Sequence, residues 1–226
     1  MPSRTLRLAV AAAAIVAVRA FVAGPSILPA GIVGTTGNVQ QIAAPFSVLE
    51  GALERGAWSY IFQENSQVML TGNLKVDVNS PGAVHVPADR RIGFVSAETN
   101  VDSYLLHQDR PDGSPYMILR GSITFDTPIL GVILTNRKLN KSDNAIGGIA
   151  TSYPTNIERP RGLELKIGHD RIRISDDMMT LHYKFRTFSS VDQVRILVQA
   201  ASVPTPGTAA LLGVASVMTV GRRRRA

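Results

Sequence analysis

Residues able to bind a metal ion come closest together at LHQDRPDG, residues 106–113. There His107, Asp109 and Asp112 place one imidazole and two carboxylates at the end of a predicted strand and in the turn after it. Calcium takes roughly six to eight oxygen ligands, and weak calcium sites rigidify many extracellular domains. The stretch is therefore a candidate calcium site that needs further ligands from elsewhere, although aspartates in turns also bond their own backbone.

Other patterns of catalytic chemistry are absent from the sequence. There is no cysteine, which excludes thiol catalysis, zinc–thiolate sites and disulfides. No histidine belongs to a His-x-x-x-His pair or a His-Glu-x-x-His box, and no Gly-x-Ser-x-Gly elbow occurs. The 17 acidic residues are too scattered to single out a glycosidase pair. We therefore predict a noncatalytic domain without a cofactor, and a secreted hydrolase remains an alternative.

Three aromatic residues lie at strand spacing in the first half of the chain: Trp58, Tyr60 and Phe62. If this stripe faced solvent, its rings could stack on sugars, as in a carbohydrate-binding module. Large rings at alternate positions are more often buried, because each contributes a large apolar area to a core. The sequence thus favours a core position and leaves sugar binding as the alternative.

The positive charge of the chain is concentrated at its two ends. The formal net charge is +7, a value typical of proteins that bind polyanions. Seven arginines lie in the terminal segments, at positions 4, 7, 19 and 222–225, and the other 17 of the 24 basic residues match the 17 acidic ones. The central part is neutral in sum, so we predict no nucleic-acid partner, because phosphate binding needs clustered cations.

The first 23 residues have the pattern of a secretory signal peptide. Arg4 and Arg7 precede an apolar run from Leu8 to Val18, and small residues follow. The run is too short for an ordinary membrane-spanning helix. Ala20 and Ala23 are the candidate cleavage positions. We expect residues 24–44, rich in Gly, Pro, Thr and Ala, to form a linker.

The last part of the chain, residues 201–226, has three successive sections. A short motif with two prolines comes first: Val203, Pro204, Thr205, Pro206 and Gly207. Gly207 to Gly221 carries no charge and would measure about 22 Å as a helix, against a hydrocarbon core of about 30 Å. Four arginines end the chain: Arg222, Arg223, Arg224 and Arg225. They can snorkel to headgroups and keep this end in the cytoplasm, so we predict a transmembrane helix with the domain outside.

This tail resembles the PEP-CTERM sorting signal of bacterial proteins handled by an exosortase. All three sections occur in order, with Thr205 at the position where the family usually has glutamate. The resemblance implies an exosortase-type partner, passage through the inner membrane, and delivery to the cell surface or extracellular matrix, commonly beside exopolysaccharide. In this interpretation Val203 to Gly207 is the recognition motif, and Arg222 to Arg225 orient the helix.

Between the two ends, residues 45–200 alternate between apolar and polar positions, as half-buried strands do. The clearest cases are Leu74 to Val78, Leu163 to Ile167, Ile172 to Ile174, Met179 to Phe185 and Val194 to Val198. Each would have one wet face. Only ILGVIL, residues 129–134, is apolar on both faces, which predicts a central strand.

We predict an all-β fold: an antiparallel β-sandwich or jelly-roll-like domain, flanked by an N-terminal signal helix and a C-terminal transmembrane helix. No long amphipathic helix is evident, and residues 46–55 would form one short helix at most.

Several stretches also resemble an uncharacterised domain that recurs in front of such sorting tails: VDSYLLHQD, GSITFDTPILGVI, SDNAIGG and DQVRI. No catalytic activity accompanies this resemblance. The expected protein is an exported structural or interaction domain, with extracellular polysaccharide as a possible partner.

Overall fold

The computed structural model describes residues 31–54, 56–111, 113, 116–155, 160–188 and 191–201. This part of the chain is mostly β-structure, which confirms the predicted all-β class. The strands are β1 (Ile32–Gly37), β2 (Val39–Gln41), β3 (Ser59–Met69), β4 (Leu74–Val76), β5 (Gly82–Val84), β6 (Gly93–Val95), β7 (Asn100–Gln108), β8 (Met117–Phe125), β9 (Ile129–Ile133), β10 (Arg171–Ile174), β11 (Thr180–Thr187) and β12 (Asp192–Gln199). A helix, α1 (Asn136–Ile146), and a 3-10 turn at Pro87–Asp89 complete the described elements.

Ten of these strands form two five-stranded sheets. The first sheet has the order β1-β8-β11-β10-β5, and the second has the order β2-β3-β7-β12-β9. All neighbours are antiparallel except β2 and β3, which run parallel. β4 and β6 pair separately as a small antiparallel ladder.

Both sheets contribute side chains to one hydrophobic core. The first sheet supplies Ile123, Leu181 and Phe185, and the second supplies Ile61, Leu106 and Ile196. These residues occupy alternate positions of their strands, because successive side chains of a strand point to opposite faces. The outward positions of the first sheet therefore face away from this core.

The opposite face of the second sheet is covered by α1 and by the β4–β6 ladder. A second apolar cluster there includes Val76, Ile133, Leu139, Ile146 and Leu197. Helix α1 was not expected from the sequence, because its buried side also carries Ser142. The short helix considered for residues 46–55 is wrong for residues 46–54, which the structure shows as turns.

The apolar stretch at 129–134 forms an edge strand, so the prediction of a central strand is wrong. β9 pairs with β12 on one side only within its sheet. Its other edge is covered instead, since the N–H groups of Asp77 and Val78 donate to the Val132 carbonyl at 2.9 and 3.1 Å. Packing is tight here, because a Cβ on Gly131 would lie 2.7 Å from a Val76 methyl group.

Two further boundaries differ from the predictions. Residues 31–44 are not only linker, since β1 and β2 lie within them. Residues 163–167 do not form a strand: Leu163 and Leu165 are buried in the core, but Ile167 is almost fully exposed. The helices of the described residues include none that is both long enough and apolar enough to cross a bilayer.

Candidate functional site

Cationic side chains cover the outer side of the first sheet. We call this surface the basic face, and it consists of Arg120, Arg171, Arg173, His182, Lys184 and Arg186. Antiparallel pairing sets Lys184 directly between Arg171 on β10 and Arg120 on β8. Arg173 faces His182 two residues along. Neighbouring strands lie about 4.8 Å apart, so Arg171, Lys184 and Arg120 form a row of three cations on three adjacent strands.

The described carboxylates do not pair with the arginine and lysine side chains of this face. Among the described residues, no acidic side chain lies within 4.0 Å of the arginine or lysine side chains of the basic face. The Lys184 amine donates instead to the Gly168 carbonyl at 3.0 Å. Desolvation, followed by the charges of Arg120, Arg171 and Arg186, lowers the pKa of Lys184. Like charges opposite one another destabilise a sheet, so an anionic ligand would relieve this repulsion.

Two hollows adjoin the basic face and share His85 and Arg171. The larger has a volume of about 340 Å³ and is also lined by Arg173 and His182. The smaller has a volume of about 220 Å³ and is also lined by Lys184 and by residues of the 166–170 turn. The face is therefore a groove with a cationic floor rather than a flat plane.

Aromatic rings lie at the end of this face where β8 begins. The Arg186 guanidinium lies 4.8 Å from the ring centre of Tyr116 and 4.9 Å from that of Phe188. The His169 imidazole packs against Phe188, with the two ring centres 5.3 Å apart. Tyr116 is about half exposed, so it offers a ring for stacking beside a fixed positive charge.

Two carboxylates near this face point into the protein, whereas that of Glu164 is partly exposed and lies 3.3 Å from the His169 Nδ1. Asp170 is buried, and its carboxylate accepts hydrogen bonds from the backbone N–H groups of Glu164 and Arg186 at 2.7 and 2.6 Å. Asp192 is buried as well and accepts a hydrogen bond from the Thr187 hydroxyl. The central part is thus neutral in sum, but its charges are separated in space, which the count of charges could not reveal.

A buried ionic network lies on the far side of the second sheet, beneath α1. It consists of Glu64, Asp143, Arg161 and Arg195, together with Tyr153. The Arg195 guanidinium donates to both Glu64 oxygens at 2.6 and 2.7 Å and to Asp143 at 2.9 Å. Asp143 also accepts from Arg161 at 2.7 Å. Two positive and two negative charges therefore balance within the network.

Tyr153 completes this network. Its ring centre lies 5.3 Å from the Arg161 guanidinium and 5.4 Å from that of Arg195, and its hydroxyl donates to Glu64 at 2.7 Å. Burial alone would lower the pKa of Arg195, but Glu64 and Asp143 raise it above its ordinary value. Every charge here has a protein partner, so the network holds α1 on the sheet, although the buried Nε of Arg161 has no hydrogen-bond partner among the described residues.

The predicted metal-binding residues have other environments. His107 is fully buried, and its Nδ1 lies 3.0 Å from the Gln193 amide nitrogen. Burial, reinforced by Arg161, lowers the pKa of His107 to about 3. Asp109 accepts from the N–H groups of Gly51 and Leu53 at 2.8 and 3.3 Å, and burial raises its pKa to about 6.

Asp112 lies outside the described residues. Within the described ranges, no group of three or more histidine and acidic side chains is arranged to hold a metal ion.

The three aromatic candidates do not form one exposed platform. Phe62 is fully buried in a small cluster with Val48 and Leu105. Tyr60 is 8% exposed and Trp58 is 41% exposed. Tyr60 and Phe62 lie on the side of β3 that faces away from the intersheet core, since the intervening Ile61 belongs to that core. A different pair of rings, Tyr116 and Phe188, lies beside the partly exposed Arg186.

The remaining predicted residues lie outside the described part of the chain. They are the cleavage positions Ala20 and Ala23, the motif Val203, Pro204, Thr205, Pro206 and Gly207, and the terminal Arg222, Arg223, Arg224 and Arg225.

Comparison with protein-family models, curated proteins and solved structures returns no match to this chain.

The sequence did contain a signal for the basic face. In RIRI and in LHYKFR the cations occupy every second position of two consecutive strands. Such a pair, joined by the short 175–179 turn, must place all of them on one side of an antiparallel hairpin.

Proposed function

We propose that this protein is an exported surface or matrix component whose domain binds an acidic polysaccharide through the basic face. The domain acts as a binding module and not as an enzyme. The observation that carries the proposal is the row of Arg171, Lys184 and Arg120 on adjacent strands, without a carboxylate partner among the described residues.

The shape and chemistry of the face favour a polysaccharide ligand. An extended chain that crosses the strands would meet a new cation about every 4.8 Å. Carboxylates or sulfates of the polymer would form charge-assisted hydrogen bonds with the arginines. Tyr116, fixed beside Arg186, would stack on a sugar ring at the end of the row.

In this proposal the two terminal segments determine where the protein is delivered. The signal peptide at residues 1–23 exports the chain, and the PEP-CTERM-like tail at residues 201–226 delivers it through an exosortase. The central domain is a β-sandwich or jelly roll, carried outside the membrane by a transmembrane helix at residues 207–221. Such a location would bring the basic face into contact with extracellular polymers and away from cytoplasmic nucleic acid.

A binding assay tests the basic face directly. The purified full chain is titrated with polygalacturonate, with neutral dextran and with duplex DNA. We expect binding to polygalacturonate that weakens with salt, and no binding to dextran. The double variant Arg171→Gln/Lys184→Gln should bind polygalacturonate about tenfold or more weakly, because it loses two charge-assisted contacts.

The control removes the same charge from the end of the chain, as Arg224→Gln/Arg225→Gln. Equal loss of binding in both double variants would show a nonspecific charge effect. Binding to DNA without binding to polygalacturonate would reject the polysaccharide in favour of nucleic acid.

A second experiment tests the sorting tail. Arg222 to Arg225 are replaced by serine, and cell fractions are compared with those of the wild type. Without these arginines the helix loses the charge that orients it. We therefore expect altered localisation and a protein whose mass shows that the tail has not been removed. Unchanged localisation and mass would contradict the sorting proposal and leave the binding proposal standing.

A further inference from the structure

We propose that a cleft beside α1 binds a small amphiphilic anion, a molecule with one carboxylate or similar group and an apolar chain. The cleft has a volume of about 530 Å³ and lies between β4, Ile92 and the first half of α1. Ligand pockets generally have volumes of about 300–1,000 Å³, so a ligand of roughly ten to twenty non-hydrogen atoms fits. The cleft is separate from the basic face, which lies on the other sheet.

The charged side chains that line this cleft are all cationic: Lys75, Arg137, Lys138 and Lys141. Lys138 is already neutralised, since its amine donates to Asp77 at 2.7 Å. Lys75, Arg137 and Lys141 have no carboxylate within 4.0 Å among the described residues. Three positive charges therefore remain at the cleft for a ligand.

Some of these cations lie at positions where their charge lowers the stability of α1 in the absence of a ligand. Arg137 and Lys141 are four residues apart on α1, and like charges at this spacing repel each other. Arg137 and Lys138 lie in the first turn, where the helix dipole favours negative charge, and no acidic residue is present in that turn. Asp77 compensates Lys138 and accepts a hydrogen bond from the N-cap Thr135 N–H at 3.0 Å, so the uncompensated repulsion on α1 is that between Arg137 and Lys141.

Two apolar residues, Leu74 and Ile92, line the cleft together with its cations. Leu74 packs against the buried cluster beneath α1, and Ile92 is 61% exposed at the cleft. Phe94, the cross-strand partner of Lys75, is also more than half exposed, with the Lys75 amine 5.9 Å from its ring centre. An alkyl chain could cover Leu74 and Ile92 while its anionic head remained between Lys75, Arg137 and Lys141.

Lysine footprinting on the full chain tests this site. The protein is treated briefly with an amine-acetylating reagent in the presence of decanoate, decanol or acetate, and modified lysines are identified by mass spectrometry. We expect decanoate to slow acetylation of Lys75 and Lys141 by about threefold or more, as their amines become hydrogen-bonded. Acetate lacks the chain and decanol lacks the charge, so neither should protect.

Lys166 and Lys184 serve as internal controls, because they lie beside or on the basic face. The variant Arg137→Gln should raise the half-protecting concentration of decanoate about tenfold, the effect of losing one charge-assisted contact. Equal protection of all four lysines, protection by decanol, or no change in Arg137→Gln would each overturn the proposal. Polygalacturonate binding does not enter this assay, so the two proposed sites succeed or fail separately.

Discussion

Replacing Arg195 with alanine is expected to lower the free energy of unfolding by about 3–5 kcal/mol. The guanidinium is fully buried and bonded to both oxygens of Glu64, which is itself buried. Without it, the buried charge of Glu64 keeps the Ser103 and Tyr153 hydroxyls as its hydrogen-bond partners among the described residues. Domains of this size are stable by only about 5–15 kcal/mol, so the variant should unfold at much lower urea concentration.

Two comparisons show whether the loss comes from the uncompensated charge. Arg120→Ala removes an exposed arginine from the basic face and should change the free energy of unfolding by less than about 1 kcal/mol. The double variant Glu64→Leu/Arg195→Met removes both charges and should be more stable than Arg195→Ala. If the double variant were as unstable as the single one, packing and not charge would explain the effect.

Periodicity predicted the strands whose outward face is wet. β10 and β11 alternate strictly between core residues and cations, and this pattern has one simple solution in a two-sheet fold. The same rule was wrong for β12, where Arg195 alternates with Val194 and Ile196 but is fully buried. Its charge is buried because Glu64 and Asp143 lie above it, and such pairing across more than 50 residues leaves no local pattern.

The helix α1 escaped prediction for the same reason. Its inner side includes Ser142, which accepts a hydrogen bond from Arg195, and Asp143, which binds two arginines. These residues look polar and solvent-exposed in the sequence, so the apolar stripe is reduced to Leu139 and Ile146. Where polar groups satisfy one another in the interior, amphipathic patterns fail to predict which face is buried.

Charge counting failed in a related way at the candidate site. The balance of basic and acidic residues in the central part is correct, but it says nothing about position. Asp170 turns inward to bind backbone N–H groups, while Arg171 beside it points to solvent. A neutral domain can therefore present a cationic surface, and the prediction about partners depends on which acids the fold buries.

Asp192→Asn is expected to stabilise the protein at neutral pH relative to the wild type and to flatten the dependence of its stability on pH. Asp192 is fully buried, and burial, followed by the charge of Asp170, raises its pKa well above the ordinary 3.8. At pH values between the unfolded-state and folded-state pKa, the folded protein therefore holds a proton that the unfolded chain has released. This contribution to stability is complete below pH 3.8 and is lost as the pH rises through the folded-state pKa.

His107 makes the free energy of unfolding depend on pH in the opposite direction. The effect of Asp192 must therefore be read from the difference between two variants and not from the pH dependence of the wild type alone. Its pKa is lowered to about 3 from 6.5 by burial and by Arg161. The stability it contributes is present above pH 6.5 and is lost as the pH falls towards 3. Urea unfolding of the wild type and of Asp192→Asn is therefore measured at each pH between about 4 and 8. Subtracting the two free energies of unfolding at each pH removes the contribution of His107, which both proteins share.

Asp177→Asn is the matched control for this subtraction. Asp177 is exposed, and the hydrogen bond from the Ser175 hydroxyl, followed by that from the Met179 N–H, lowers its pKa. Its small contribution is present above its ordinary pKa and is lost in acid, so this substitution should not stabilise the protein at pH 7. If Asp192→Asn and Asp177→Asn gave the same difference curve, Asp192 would not hold a proton in the folded state. A rise in stability only for Asp192→Asn, largest at neutral pH, would show that the buried Asp192 carboxyl destabilises the folded protein once it loses its proton.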